Sequence, residues 1–160
     1  MLFVAIGCGS LGDASSRSNT SARFGSLDTE AAALVRQVRT QDGFTVNPRD
    51  GVAPECGYVV NTGVGARVER AADFFGGQNY SEGQRLLEQF VQDSAEALAA
   101  NPNLYIGAWY NRRNQEVVLS TVELVADRDN AIRLGLAHQQ SSVYDLASGR
   151  DVPTGGPGMR

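Results

Sequence analysis

The chain of 160 residues contains no lysine and a single histidine, His138. Without lysine there is no Schiff-base nucleophile, no lysine general base and no phosphate-binding lysine of a P-loop. One histidine excludes a histidine-rich metal site and leaves at most one imidazole base. His138 falls near the C-terminus of a predicted helix, where the helix dipole alone favours it. The sequence therefore offers few of the side chains on which catalysis at neutral pH depends.

Basic charge is also limited, because all 14 basic residues are arginines and they are scattered along the chain. With 18 acidic residues, the formal net charge is −4. Nucleic-acid-binding proteins usually carry a basic face that neutralises phosphates. Binding of nucleic acid is therefore disfavoured. The charge is also too modest to favour an acidic mimic of nucleic acid.

Cysteine is restricted to Cys8 and Cys56, which are far apart and form no C-x-x-C motif. Two cysteines cannot form a disulfide framework, and with one histidine they cannot complete a four-ligand zinc site without carboxylates. We interpret them as two free thiols in a reducing compartment, with a single Cys8–Cys56 bridge as the alternative.

The apolar run at residues 2–7 ends immediately before Cys8. It is far shorter than the ~20 residues of a membrane span. It also has no basic region before it and falls short of the roughly 7–15 apolar residues of a signal peptide. Export as a lipoprotein through Cys8 is therefore disfavoured, and no membrane association is expected. Residues 9–26 have the Gly, Ser, Asn and Thr content of a linker.

Periodicity predicts an α+β fold with one domain. Helices are predicted at residues 27–39, 81–99 and 128–139, with Ser81 and Gln84 forming a capping box and Asp127 capping the third helix. Strands are predicted at residues 44–46, 57–60, 66–70, 104–110, 116–125 and 142–146. We expect a mostly antiparallel sheet of four to six strands with about three helices packed on it. Residues 1–25 would form a flexible or loosely attached segment, residues 26–156 the domain, and residues 157–160 a flexible tail.

Carboxylates provide the remaining candidates for chemistry. Asp127 and Asp129 form a D-x-D pair, but they stand where a helix begins, and capping is the commoner role of Asp there. The EF-hand pattern fails because Ala131 and Ile132 occupy positions that need a ligand and a glycine. We therefore predict no catalytic residue, no metal site and no cofactor.

Aromatic residues and arginines cluster at one predicted hairpin. Tyr105 and Trp109 fall on one face of the strand at residues 104–110, and Arg112 and Arg113 occupy the loop that follows. Tyr, Trp and Arg are the residues that most often dominate protein interfaces. The four are our candidate binding residues; a core position for Trp109 and a solvated loop for the arginines is the structural alternative.

Two segments carry a resemblance to a known domain. Residues 104–156 contain a G-x-W-Y strand end, a long returning strand, a helix that opens at Asp127, a final Tyr144-Asp145-Leu146 strand and a Thr-Gly-Gly end. Residues 42–60 resemble the N-terminal part of the same domain. The chain resembles an uncharacterised small α+β domain found in proteins of actinobacterial phages and mobile elements. No catalytic role carries over from this resemblance, and we expect a location in the host cytoplasm or the virion.

Together these features predict a non-enzymatic accessory or protein-interaction domain of a phage or mobile element, either virion-associated or host-modulating. A protein partner or self-association is expected. The alternatives are a small enzyme that relies on Asp, Glu and Arg chemistry, which a pocket shared by Glu123, Asp127 and Asp129 would favour, and an anti-defence inhibitor protein.

Overall fold

The computed structural model describes residues 25–158, with side chains from residue 30 onward. Five helices form in this part of the chain: α1 (Gly25–Gln41), α2 (Ala71–Phe74), α3 (Ser81–Asp93), α4 (Ala95–Ala100) and α5 (Arg128–Ala137). A single 3₁₀ turn, Gln78–Tyr80, leads into α3. The buried side chains of α1 and α3 recur at spacings of three and four residues, as expected for helices that pack one face on a sheet.

Within residues 25–158, seven strands form one antiparallel, curled sheet. They are β1 (Gly43–Val46), β2 (Tyr58–Asn61), β3 (Arg67–Arg70), β4 (Leu104–Asn111), β5 (Glu116–Val125), β6 (Ser142–Asp145) and β7 (Arg150–Pro153). The strand order is β1-β4-β5-β2-β6-β7, and β3 pairs with β5 beyond the end of β2. The ten-residue β5 therefore pairs with β4 along one edge and with both β2 and β3 along the other.

The helices cover one face of this sheet, which we call the helix face. The larger hydrophobic cluster joins α1, α2, α3 and α4 to β1, β4 and the first half of β5. A smaller cluster joins α5 to the end of β5, β2 and β6. Every sheet residue in either cluster points to the helix face, because the pleat alternates side chains between faces.

Close backbone packing explains the glycine at the centre of the helical layer. Gly83 in α3 is buried, and a Cβ atom there would lie 2.9 Å from Val35 Cγ1 of α1 and still closer to the carbonyl oxygen of Phe74 in α2. A side chain at this position would hold α3 away from both neighbours, so the glycine permits the observed approach.

The α+β fold with one mostly antiparallel sheet is confirmed. The capping box is wrong: α3 begins at Ser81 itself, no side chain caps it, and Gln84 Nε2 donates instead to the Asn79 carbonyl at 2.7 Å. The helix predicted at residues 81–99 is also divided, because it ends at Asp93 and a second helix begins at Ala95. Strand β7 was not predicted. Residues 1–24 and 159–160, on which the predicted loose segment and part of the predicted tail fall, lie outside the described residues.

Candidate protein-interaction surface

The sheet face opposite the helices, which we call the second face, carries Tyr105 and Trp109. Strand registers arrange this face in rows that run across the strands. The first row is polar, the next apolar and the following two are mixed. In order, the rows are Asn111, Glu116 and Arg70; Gly43, Trp109, Val118 and Val68; Thr45, Gly107 and Ser120; and Tyr105, Val122 and Asn61.

The apolar row, which we call the Trp109 row, spans four strands. Trp109 of β4 is half-buried, Val118 of β5 is 8% exposed, and Val68 of β3 is 60% exposed. Gly43 of β1 stands opposite Trp109, and a Cβ atom at Gly43 would lie 3.3 Å from Trp109 Cα. The row therefore presents an aromatic ring beside an exposed aliphatic side chain at the end of the sheet nearest the β4–β5 hairpin.

Polar side chains border this row on the hairpin side. Arg70 Nε donates to Asp73 Oδ2 at 2.8 Å, and Asn114 Nδ2 donates to Glu116 Oε2 at 3.4 Å. Asn111 Oδ1 accepts from the Asn114 amide at 3.2 Å. An apolar centre with a hydrogen-bonding rim is the usual composition of a protein–protein interface.

The two candidate arginines have different surroundings. Arg112 Nε lies 2.6 Å from Asp42 Oδ1, and its guanidinium carbon lies 5.1 Å from the ring centroid of Tyr110. Its Nη2 also donates to the Arg39 carbonyl at 3.2 Å, so Arg112 fastens the hairpin to the C-terminus of α1. Arg113 is exposed at the hairpin. The structure thus brings Tyr105 and Trp109 together on the second face and uses Arg112 in tertiary contacts.

Two buried polar atoms lie in the middle of the second face. Ser120 is 0% exposed and Asn61 is 5% exposed, and neither Ser120 Oγ nor Asn61 Nδ2 has a hydrogen-bond partner among residues 25–158. The two residues are diagonal neighbours, because Asn61 pairs with Val122. Buried polar groups without partners are uncommon in proteins. Ser120 Oγ and Asn61 Nδ2 are therefore two exceptions to the usual pairing of buried polar groups.

Sequence reasoning missed the contribution of β5 and β3 to this surface. The run of β5 from Val117 to Val125 is apolar at six of its nine positions and includes apolar residues on both faces, which is typical of a strand buried on both faces. That pattern could have shown that Val118 and Val122 are buried. The position of Val68 could not be found this way, because it depends on the pairing of β3 with β5.

The carboxylates of the enzymatic alternative do not converge. Asp127 Oδ1 accepts from the Asn130 amide at 2.8 Å and caps α5, whereas the side chain of Asp129 is 89% exposed. Among residues 25–158, no group of three or more His, Cys, Asp or Glu side chains is placed to hold a metal ion.

A shallow cleft of about 390 Å³ contains carboxylates elsewhere. Its lining includes Glu69, Asp73, Glu82 and Arg85. Two of these carboxylates are engaged in ion pairs, since Arg85 Nε lies 3.1 Å from Glu82 Oε2 and Asp73 is bound by Arg70. The cleft therefore contains the Asp, Glu and Arg side chains that the enzymatic alternative requires. Most of its carboxylates, however, are neutralised by ion pairs with arginine.

Asp145, the last residue of β6, has a lowered pKa. The hydroxyl of Ser148 donates to Asp145 Oδ2 at 2.7 Å and lowers the pKa of this carboxyl, and the amide of Ala147 adds a second hydrogen bond at 3.0 Å. These are the contacts of a turn stabilised by an Asp side chain, so the shift has a structural cause.

Cys56 corrects the expectation of free thiols, because it is disulfide-bonded in the structure. The chain has one other cysteine, Cys8, which lies outside the described residues. Stable disulfides are typical of proteins outside a reducing cytosol.

Comparison of the chain with protein-family models, with curated proteins and with solved structures found no match. Within the described part of the chain, no helix is both long enough and apolar enough to cross a membrane.

Proposed function

We propose that this protein is a non-enzymatic protein-interaction domain that binds a partner protein through the Trp109 row. The observation that carries the proposal is the pair of half-buried Trp109 and 60%-exposed Val68 on the face to which neither hydrophobic cluster of the described residues extends. Large aromatic side chains at the centre of a polar rim are the usual anchors of protein interfaces.

The polar rim supports the same proposal. Arg70, Glu116 and Asn111 lie one row away from the Trp109 row and can exchange hydrogen bonds with a partner at its edge. The exposed Arg113 lies in the adjacent hairpin loop and adds a positive charge there. Charges at an interface rim act mainly on association rate and specificity.

The origin in a phage or mobile element, with a virion-associated or host-modulating role, rests on the resemblance of residues 42–60 and 104–156 and stays a prediction. So does the location in the host cytoplasm or virion; of these two, the disulfide of Cys56 argues against the host cytoplasm. The enzymatic alternative is supported by the cleft at Glu69 and Glu82 alone. Reproducible turnover that depends on these carboxylates would favour it.

The experiment compares two valine variants whose wild-type side chains are equally exposed. Val68 in the Trp109 row is 60% exposed and Val52 in the β1–β2 connection is 61% exposed. The tagged full chain, V68D and V52D are each used to capture proteins from source-cell lysate, with and without nuclease. We expect a nuclease-resistant partner that V52D retains and V68D loses at least tenfold, since burying an unpaired carboxylate costs more than about 1.4 kcal/mol.

Equal capture of that partner by V68D would contradict the proposed surface. A profile that nuclease abolishes would contradict a protein partner. Circular dichroism of both variants provides the control for folding, and Val68 is chosen over Trp109 because its exposed side chain contributes less to the fold.

A further inference from the structure

Strand β3 pairs with β5 along one edge, and no other strand of residues 25–158 pairs with its opposite edge, which we call the open edge. The Ala71 amide donates to the Gln115 carbonyl at 2.8 Å, one position beyond the last pair of the β3–β5 ladder. The backbone groups of consecutive residues point to opposite edges of a strand. Those of Glu69 therefore point towards β5, and those of Val68 and Arg70 point away from it. The open edge thus presents the amide and carbonyl groups of Val68 and Arg70.

The sequence of β3 leaves this edge able to pair. An open strand edge is a template for another chain, and proteins usually block it with proline, lysine or a bulge. Strand β7, at one end of the sheet, ends with Pro153. Strand β3 has the sequence Arg-Val-Glu-Arg, without proline or lysine, and its ladder with β5 contains no bulge. The Val68 side chain is 60% exposed, so the edge is accessible in the described part of the chain.

The charges of β3 are complementary to those of a second β3. When two copies pair antiparallel, side chains of one face meet side chains of the same face, so the two-fold axis passes through a residue. An axis at Val68 joins its outward backbone groups to those of its copy and sets Arg67 of each chain opposite Glu69 of the other. An axis at Arg67, Glu69 or Arg70 would set two like charges opposite each other, which is unfavourable. The charge sequence therefore selects the axis at Val68.

Arg67 and Glu69 are both able to make these contacts. Arg67 Nη1 lies 3.5 Å from Asp93 Oδ2, yet the Arg67 side chain is still 39% exposed. Glu69 is partly buried, and its carboxylate has no ion-pair partner among the residues whose side chains are described. Opposite residues that do not share hydrogen bonds have the closest side chains in an antiparallel ladder. Arg67 of a second copy would thus supply the counter-charge that Glu69 lacks.

We propose that two copies of this chain form a dimer by antiparallel pairing of their open edges, with Val68 on the two-fold axis, so that the two sheets join into one. Val68 is the last residue of the Trp109 row, and it would stand beside Val68 of the second copy. The two rows then form one continuous apolar row that ends in a Trp109 on each side. The dimer lengthens the surface proposed to bind a partner and leaves its face open, so it does not depend on that partner.

Sedimentation velocity of the full chain over a range of protein concentrations tests the dimer and its charge pairs. R67E and E69R each replace two opposite-charge pairs by two like-charge pairs, so each should dimerise at least about tenfold more weakly than the wild type. R67E is acidic and E69R is basic at both positions, so an equimolar mixture of the two should regain the affinity of the wild-type dimer. A wild type that stays monomeric, or a mixture of folded variants that does, overturns the proposal.

Arg70→Pro tests the backbone pairing, with Arg70→Ala as the matched control. Arg70 has a φ of −66°, the value that proline prefers, and its amide points away from β5, so proline fits the fold. Both variants lose the arginine side chain, but only R70P loses the amide that donates to the second copy. R70P should therefore dimerise at least about tenfold more weakly than R70A. Equal dimerisation of the two variants overturns the pairing of the open edges.

These outcomes are distinct from those of the capture experiment, because R67E and E69R leave Val68 and Trp109 unchanged. A monomeric wild type that captures the nuclease-resistant partner overturns the dimer alone. A wild-type dimer that meets the charge and backbone tests supports this inference even when it captures no partner, and that result counts only against the proposed function.

Discussion

The clearest prediction concerns Gln140, because its side-chain amide makes with the backbone of Asn61 the pair of hydrogen bonds that a neighbouring strand would otherwise make. Gln140 is buried, and its Oε1 accepts from the Asn61 amide at 3.2 Å while its Nε2 donates to the Asn61 carbonyl. The backbone pairing of β2 with β6 ends at Val59 and Tyr144. The side-chain amide of Gln140 therefore extends the edge of the sheet to Asn61, beside the second face.

The perturbation is Gln140→Glu, which replaces the donor by an oxygen that faces the Asn61 carbonyl. Loss of the hydrogen bond costs about 1 kcal/mol, and the buried carbonyl left without a donor costs about 1–3 kcal/mol more. Desolvation of the carboxylate adds to this sum. We expect the free energy of unfolding to fall by about 3–5 kcal/mol at pH 7, as for other broken buried polar pairs. Gln139→Glu, at the exposed neighbouring position, is the control.

The loss of stability caused by Gln140→Glu, which we call the deficit, should depend on pH. Burial raises the pKa of the new carboxyl in the folded state above its unfolded value of about 4.3. A protonated carboxyl can donate to the Asn61 carbonyl and accept from its amide, so the deficit is smallest below the unfolded pKa and reaches its full size as the pH rises through the folded pKa. Urea unfolding at pH 4 and pH 7 measures both values. Equal stability of Q140E and Q139E at pH 7, or an equal deficit at both pH values, would refute the reasoning.

Three further predictions concern the described domain. Arg49→Met should lower the free energy of unfolding, measured in urea, by about 2–3 kcal/mol. The reason is that the Arg49 guanidinium donates to the Leu98 carbonyl at 2.6 Å and to the Pro102 carbonyl at 3.0 Å. An unchanged urea midpoint would contradict this prediction. Gly83→Ala should lower the stability of the protein by about 1–3 kcal/mol, measured by thermal unfolding, because the new methyl group would meet the backbone carbonyl of Phe74. This cost outweighs the ~1 kcal/mol by which alanine favours a helix over glycine. A more stable variant would show that α3 can move. Ser148→Ala should raise the pKa of Asp145 towards its ordinary value, as measured by NMR titration, because the variant lacks the hydroxyl that donates to this carboxylate. The stability that the Asp145 carboxylate contributes above its unfolded pKa should then be lost at a higher pH than in the wild type. An unchanged pKa would show that the Ser148 hydroxyl is not the cause of the shift.

Local sequence patterns determined the elements and the fold class. The apolar spacing of Leu87, Phe90 and Val91 specifies a helix face, and the alternation of Leu104, Ile106 and Ala108 specifies one side of a strand; all six side chains are buried. The division at Ser94 was missed because the residues on both sides favour helix. Strand β7 was missed because the four residues from Arg150 to Pro153 include two charged residues and carry little apolar signal.

Only part of the candidate site could be predicted from the sequence. Tyr105 and Trp109 share a face because strand residues two and four apart always do, so the sequence alone determined that pairing. The tertiary structure decided three further features. It determined which sheet face meets the helices, that Arg112 binds Asp42, and that Val68 continues the row from Trp109. These facts depend on pairings between residues 40–70 positions apart in the chain. Local propensity and periodicity carry no information on such pairings, since burial of the whole core selects them together.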